Sequence, residues 1–142
     1  MGEGLQLKQQ QVRILSEKKF ETISVAIRID GIAQVNISGE EDIDVQHVKL
    51  VVDTLEELGS GKRFPLLIVV SEYILPTPEA RAYIATPESD PFALAEAYVI
   101  RSFPQKLVGN MYLSFNKPAR PTRLFNDEEK AVEWLKTFLS AP

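Results

Sequence analysis

The sequence predicts a single α/β domain built on a mixed, largely parallel sheet that is covered by helices. Asp30-Gly31 separates two stretches in which apolar and polar residues alternate, a pattern typical of a β-hairpin. "FPLLIVV", at 64–70, is a continuous apolar run, as expected of a central strand covered on both faces. Beyond it, short strands alternate with helical segments, and this order indicates parallel strands joined by helical crossovers.

The sequence of the first half of the chain predicts the hairpin, one helix and the central strand. The hairpin is predicted over 23–37. The segment 45–59 changes to helical spacing, with Asp44 placed to cap the helix and Gly59 placed to end it. Its apolar residues fall on one stripe, which consists of Val48, Val51, Val52, Leu55 and Leu58. The strand at 64–70 then leads into a helix that contains "PEARAY".

The second half continues the alternation. "ALAEAYVIRS" predicts a strand, and "FPQKLVGNMYLSFN" a helix that ends at Lys117-Pro118. "TRLF" predicts a short strand, and "DEEKAVEWLKTFL" predicts the closing helix, with Asn126 and Glu129 spaced for a capping box. Residues 1–11 are polar and Gln-rich, so we expect a flexible tail there, followed by one domain at 12–142.

Composition narrows the classes of function. Apolar residues at 44% and charged residues at 25% of 142 are typical of a globular domain. A net charge of -4 provides no general attraction for nucleic acid or for an anionic membrane. The absence of cysteine excludes disulfides and zinc–cysteine sites. The longest apolar run is too short to span a bilayer and no secretory signal is present, so a cytoplasmic location is expected.

Several segments, in their order and spacing, carry a resemblance to a known family. They are "DGI" in the hairpin, "EARAY" at 79–83, "VGN" at 108–110, "NKPARPTRLF" at 116–125 and "EEKAVEWL" at 128–135. Together they resemble the STAS domain, the fold of bacterial anti-sigma-factor antagonists, and more closely a family of small uncharacterised bacterial STAS-like proteins. The resemblance covers nearly all of the chain from about residue 20. It implies a fold, and it implies little chemistry.

Thr77 is either a phosphoacceptor or a helix cap. The resemblance implies a kinase-modified serine at the start of the helix after the third strand, but here "ILPTPEAR" has no aspartate before Thr77 and has Pro78 after it. Capping accounts for each residue, because Thr accepts a bond at N-cap, Pro suits the first helical position, and Glu79 favours the helix dipole. We favour the cap, which does not forbid phosphorylation.

Loops that leave the strands of such a sheet gather at one end, here called the strand-exit pole. We predict it to be acidic, with Arg101 nearly alone against Glu40, Glu41, Asp42, Asp44, Glu72, Asp127, Glu128 and Glu129. An acidic rim repels phosphates, so no anionic cofactor is expected. The candidate interaction or phosphoacceptor residues at this pole are Thr77, Glu72, Tyr73, Arg101 and Ser102.

A basic loop, "NKPARPTR", is the second candidate surface. Its cations are Lys117, Arg120 and Arg123, and its prolines are expected to stiffen the loop and keep these charges exposed. We assign it to the opposite, strand-entry pole, together with Lys62 and Arg63. It would suit docking of an acidic partner.

Other motifs fail their chemical requirements. "GSGK" at 59–62 lacks the remainder of a phosphate-binding loop and lies between a helix and a strand, which is the reverse of the order needed. His47 is the sole histidine, and no nucleophile elbow is present. "EEDID" lacks the spaced ligands of a calcium loop. We therefore expect no catalytic, cofactor or metal site.

The leading functional hypothesis is a non-enzymatic domain that acts through protein contacts. One alternative is a carrier of a small apolar or lipid-like ligand held between the sheet and a helix, as resemblance to lipid-binding relatives of the fold would allow. Another is an enzyme using Ser102, Tyr73 or Glu72. A protein partner or a homodimer is left open, whereas nucleic acid binding and membrane insertion are not expected.

Overall fold

The computed structural model of the protein describes residues 12–139, so the predicted tail at 1–11 lies outside the described residues. These residues form a six-stranded sheet whose strands follow chain order from one edge to the other. The strands are β1 (Ile14–Lys19), β2 (Ile23–Arg28), β3 (Ala33–Ile37), β4 (Phe64–Val70), β5 (Ala93–Val99) and β6 (Thr122–Phe125). The first three pair antiparallel, and β3 to β6 pair parallel, which confirms the predicted fold class.

Among the described residues, four α-helices connect or follow the parallel strands. They are α1 (Val45–Gly59), α2 (Pro78–Ile84), α3 (Phe103–Met111) and α4 (Glu128–Lys136). A π-helical turn, Tyr112–Asn116, extends α3 as far as Lys117, whose φ of 55° ends it. Each helix begins at a side-chain cap. Asp44 and Thr77 cap α1 and α2 as predicted.

The predicted capping box of Asn126 and Glu129 is wrong. The cap of α4 is Asp127, whose carboxylate accepts hydrogen bonds from the main-chain N–H groups of Glu129 at 2.8 Å and Lys130 at 3.3 Å. Asn and Asp both suit this position, so adjacent candidates leave the helix start uncertain by one residue.

The sheet has two unlike faces. Helices α1, α2 and α3 cover one face, and its core residues alternate along the strands, as in Val25, Val35 and Leu66. Helix α4 covers the β4–β6 half of the other face, where Ala131 and Leu135 contact Leu67 and its neighbours. The β1–β3 half of this face carries an ion pair between Arg28, which is buried, and Asp30 at 2.8 Å.

The hairpin around Asp30-Gly31 is present, but an unpredicted strand, β1, precedes it. Gly31 has a φ of 92°, a conformation that favours glycine. In β1, "ILSEKK" is almost wholly exposed, and it therefore shows none of the apolar alternation that marks a half-buried strand. The hairpin is thus the second and third strands of a three-stranded meander.

Candidate functional site

Two of the predicted pole residues, Ser102 and Glu72, meet where β4 and β5 end. Ser102 caps α3, and its hydroxyl donates a hydrogen bond of 2.9 Å to the main-chain carbonyl of Glu72. The buried amide of Gln105 braces the junction, since its Nε2 donates to two carbonyls of the 71–74 loop at 2.7 and 2.9 Å and its Oε1 accepts from the N–H of Arg101 at 2.8 Å. The Ser102 hydroxyl is thus a structural donor and is not aligned with a base.

Thr77 uses its polar groups for capping. Its hydroxyl accepts from the N–H of Ala80 at 3.0 Å, and its own N–H donates to the carbonyl of Ile43 at 2.9 Å. This second bond fixes the acidic loop before α1 against the start of α2. The guanidinium of Arg81 donates to the carbonyl of Pro76 at 3.0 Å, so a cation that the sequence did not single out lies beside Thr77.

Tyr73 and Arg101 are the exposed members of the predicted pole. Tyr73 keeps 70% of its surface exposed, and it adjoins Glu72 at the junction with α3. Arg101 is also exposed, although its main-chain N–H is held by Gln105. The pole therefore divides into a Ser102–Glu72 junction and a Thr77 cap that have different hydrogen-bond partners.

The prediction that Arg120 is an exposed docking residue is wrong. Only 8% of it is exposed, and its guanidinium donates to the carbonyls of Ile84 at 2.9 Å and Thr86 at 2.8 Å, where α2 ends. Its Nη1 also lies 3.7 Å from the carboxylate of Glu96. The flanking prolines fix the backbone and do not set the direction of the side chain. Lys117, in the same loop, is exposed as predicted.

Arg123 lies within β6, so its assignment to the strand-entry pole is also wrong. Its guanidinium carbon stands 5.3 Å from the ring centre of Phe125 and 5.5 Å from that of Trp134. These contacts place Arg123 on the face that α4 covers. The stacking orients the cation and leaves the residue largely exposed.

A basic groove runs along this edge of the molecule, between the starts of α3 and α4. Its cationic lining residues are Arg101, Lys106, Arg123 and Lys130. None of the residues that line it within 12–139 is acidic. The prediction that Arg101 is nearly the sole cation at this pole is therefore wrong, because three further cations share its groove. The predicted acidic residues Asp127, Glu128 and Glu129 do lie at the start of α4, directly after the lining residue Asn126.

Four large apolar side chains, here called the α3 stripe, lie exposed along α3 and its π-helical turn. They are Phe103 (74% exposed), Leu107 (53%), Met111 (42%) and Phe115 (79%). Their four-residue spacing places neighbours on one side of the helix, whereas the opposite side buries Gln105 and Tyr112. Phe103 also lines the basic groove, so the two surfaces are contiguous. Contiguous exposed apolar surface marks interaction sites.

An internal cavity of about 140 Å³ lies between the sheet and helices α1–α3. Most of its lining is apolar and includes Val35, Val51, Ile68, Ile84, Val108 and Leu124. The lining also includes two half-buried polar residues, His47 in the first turn of α1 and Arg81 in α2. The sequence hypothesis of a pocket between the sheet and a helix matches this location.

The cavity has a polar end at Glu96. This side chain is buried, and its Oε1 accepts a hydrogen bond of 2.9 Å from the hydroxyl of Tyr98. Burial raises the pKa of Glu96 to about 7, and the charge of Arg120 opposes this rise only in part. Tyr112 lines the same cavity, and its buried hydroxyl has no hydrogen-bond partner among residues 12–139. Burial, followed by the charge of Glu96, raises the pKa of Tyr112 above its usual range.

Neither a metal centre nor a membrane span is found in the part of the chain that the structure describes. Within it, no three His, Asp or Glu side chains are grouped so that they could hold a metal ion. Its helices are also too short or too polar to cross a bilayer.

Comparison with known proteins places the chain in a family. The family model described as "Domain of unknown function (DUF7793)" matches residues 25–139. The chain belongs to this family. Among solved structures, the DUF7793 domain is similar to an uncharacterised protein of the DUF3478 family from Shewanella loihica PV-4, which has a SpoIIAA-like fold. The TM-score is 0.54 and the identity 13%, over 83% of this chain and 97% of that one. No curated protein matches the chain.

These findings confirm the STAS-like fold that the sequence resemblance implied. At 13% identity, the likeness to the Shewanella protein concerns the fold alone. The basic groove and the α3 stripe fall within the 25–139 match, and so does the lining of the internal cavity except for Ile23.

Sequence reasoning missed Glu96 and Gln105, and each had a signal. Glu96 is a charged residue inside "ALAEAYV", a strand that is otherwise apolar or aromatic, and a charge in such a strand is rarely left without partners. Gln105 stands three residues after Ser102, the spacing of a capping box. Lys106 and Lys130 had no such signal, because only the packing of α3 and α4 beside β6 brings them together.

Proposed function

We propose that this DUF7793 domain is a non-enzymatic protein-interaction module that binds an acidic, partly apolar segment of a partner protein. The segment would lie in the basic groove and against the α3 stripe. The observation that carries the proposal is the contact between these two surfaces, a groove whose lining has four cations and no acidic residue within 12–139, and four exposed apolar side chains.

Charge complementarity supports an acidic partner. Complementary potentials speed encounter and exclude wrong partners, while apolar anchors supply most of the affinity. A segment that alternates acidic and large apolar residues would satisfy both parts. The outer edge of β6 also has no strand beside it among the described residues, and an extended segment could pair there with main-chain groups.

A protein partner is favoured over an anionic membrane. The net charge of -4 gives the chain no general attraction for an anionic surface. The N-terminal end of the α3 stripe also adjoins exposed Glu72, which an anionic surface would repel. On this proposal the domain acts in the cytoplasm, and Thr77 is a helix cap outside the interface.

The candidate enzyme residues support a role without catalysis. The Ser102 hydroxyl donates to a main-chain carbonyl, and that carbonyl cannot act as a general base for it. Tyr73 is exposed at the protein surface, where nothing in the described hydrogen bonds activates it. A nucleophile and its base are therefore not assembled from the residues that the sequence put forward.

A peptide-display selection tests the proposal. A library of random peptides would be selected on the wild-type domain, and we expect enrichment of sequences that combine Asp or Glu with Leu, Phe or Trp. Affinities of the enriched peptides would then be measured for Lys106→Glu and Arg123→Glu. Each reversal should weaken binding about three- to tenfold, because it removes an attraction and adds a repulsion worth roughly 1 kcal/mol together.

Lys62→Glu is the matched control. It makes the same charge change on an exposed lysine in the turn before β4, at the opposite end of the parallel strands, and it should leave the affinity within about twofold. Enrichment of basic peptides, or equal losses in all three variants, would contradict the proposal. So would tight binding to anionic vesicles that Lys106→Glu abolishes while no acidic peptide is selected.

A further inference from the structure

The internal cavity has an apolar body and a polar end at Glu96, and the polar side chains of His47 and Arg81 also line it, near the starts of α1 and α2. Apolar side chains surround most of its 140 Å³, and the polar groups Glu96, Tyr98 and Tyr112 lie together. A buried water needs two to four polar partners, so water can be held at the polar end and not in the remainder. Apolar cavities of about this volume are known to remain dry and to admit a molecule the size of benzene.

The hydroxyl of Tyr112 marks where a ligand would be held. The residue is 6% exposed, it lines the cavity, and its hydroxyl has no partner among the described residues. Leaving such a group unpaired is costly in a buried site. No acceptor among the described residues lies within hydrogen-bond distance of it, although the Tyr98 hydroxyl and Glu96, themselves joined at 2.9 Å, line the same end of the cavity.

The surroundings also set the charge of the ligand. The Arg120 guanidinium is occupied by the carbonyls of Ile84 and Thr86, and the guanidinium of Arg81, which lines the cavity on the α2 side, donates to the carbonyl of Pro76 at 3.0 Å. The carboxyl group of Glu96 would repel an anion, and the apolar lining would penalise any ion. A neutral molecule with one oxygen meets these conditions.

We propose that the internal cavity is a binding site for a compact neutral molecule, about the size of a phenol, whose single oxygen accepts a hydrogen bond from the Tyr112 hydroxyl. The apolar body of the ligand occupies the space between β3, β4 and helices α1–α3. The site is separate from the basic groove, so it does not depend on the proposed partner.

Three probes of similar size test this assignment by calorimetry and by thermal shift. p-Cresol has the oxygen, toluene lacks it, and benzoate carries a charge. Wild-type protein should bind p-cresol more tightly than toluene, and benzoate weakly or not at all. Tyr112→Phe keeps the ring and removes only the hydroxyl, so it should lower the affinity for p-cresol about three- to tenfold and leave that for toluene unchanged.

Two further variants separate the site from the rest of the molecule. Tyr73→Phe makes the same chemical change on an exposed ring and should leave p-cresol binding unchanged. Val51→Phe adds bulk from α1 into the cavity and should abolish binding of both p-cresol and toluene while the circular dichroism spectrum stays native. If this variant does not fold, Tyr112→Phe alone decides.

Three results would overturn the inference. They are no binding of p-cresol or toluene to the wild type, equal p-cresol affinity in the wild type and Tyr112→Phe, and benzoate binding as tight as that of p-cresol.

Discussion

Replacing Glu96 with glutamine should remove a pH dependence of stability that the buried carboxyl group creates. Glu96 is 3% exposed, and burial raises its pKa from 4.5 to about 7 in the folded protein. The folded state therefore binds the proton more tightly than the unfolded state does. The free energy of unfolding should fall as pH rises from about 4.5 to about 7, and this contribution should be constant outside that window.

The size of the effect follows from the two pKa values. One pKa unit corresponds to about 1.4 kcal/mol, so the wild type should lose on the order of 3 kcal/mol of stability between the ends of this window. Burial also raises the pKa of Asp90, which adds a slope of the same sign. Glu96→Gln keeps Asp90 and an oxygen acceptor for Tyr98, so the difference between the two proteins isolates Glu96.

Urea unfolding of both proteins, followed by the fluorescence of Trp134, provides the measurement. Trp134 is the only tryptophan, and its ring centre lies 4.9 Å from that of Phe138, so its emission should report unfolding. We expect the wild-type stability to fall relative to that of Glu96→Gln between about pH 4 and about pH 8. Parallel curves over this range would refute the raised pKa of Glu96.

Substitutions at Arg120, Thr77 and Gly109, with Lys117→Ala as a control, test the packing in the same urea assay. Arg120→Ala should lower the free energy of unfolding by about 3 kcal/mol or more, because it leaves buried acceptors unpaired. Lys117→Ala should change it by less than about 0.5 kcal/mol. Similarly small effects of both substitutions would show that Arg120 does not hold the end of α2 in place. Thr77→Ala should cost about 1 kcal/mol and Thr77→Asp almost nothing, since aspartate also caps; equal large losses would indicate another role for the hydroxyl. Gly109→Ala should destabilise the folded protein by about 1–3 kcal/mol, because the added Cβ would lie 2.7 Å from Leu124 Cδ1. Alanine favours helices more than glycine does, so a gain in stability would contradict this close packing.

Local pattern was sufficient for most of the fold. The Asp30-Gly31 hairpin, the apolar stripe of α1 and the cap at Thr77 each follow from a few neighbouring residues, and the structure contains all of them. β1 was not predicted, because it forms a strand through its pairing with β2 and has no apolar face of its own. Local sequence patterns predict elements that have a buried apolar face. An exposed strand is stabilised by pairing with a strand elsewhere in the chain, so its own sequence does not predict it.

The candidate sites depend on contacts between distant residues, and sequence reasoning did poorly there. Arg120 turns inward because the end of α2 offers it carbonyl oxygens 34 and 36 positions away in sequence. Arg123 meets Lys106 and Lys130 because β6 lies between α3 and α4, which pack on opposite faces of the sheet. When charges are assigned to the two poles from the order of the loops alone, the direction of each side chain is ignored. Neither arrangement can be predicted in that way.

The most direct test of the proposed interaction is a ¹⁵N-resolved NMR titration of the wild-type domain with the tightest peptide from the selection. If the basic groove and the α3 stripe form the binding surface, the largest amide shifts should fall at Lys106, Leu107, Asn110 and Arg123, while the turn at Lys62 stays unchanged. Shifts that are confined to the acidic loop before α1, or spread evenly over the domain, would contradict the proposal.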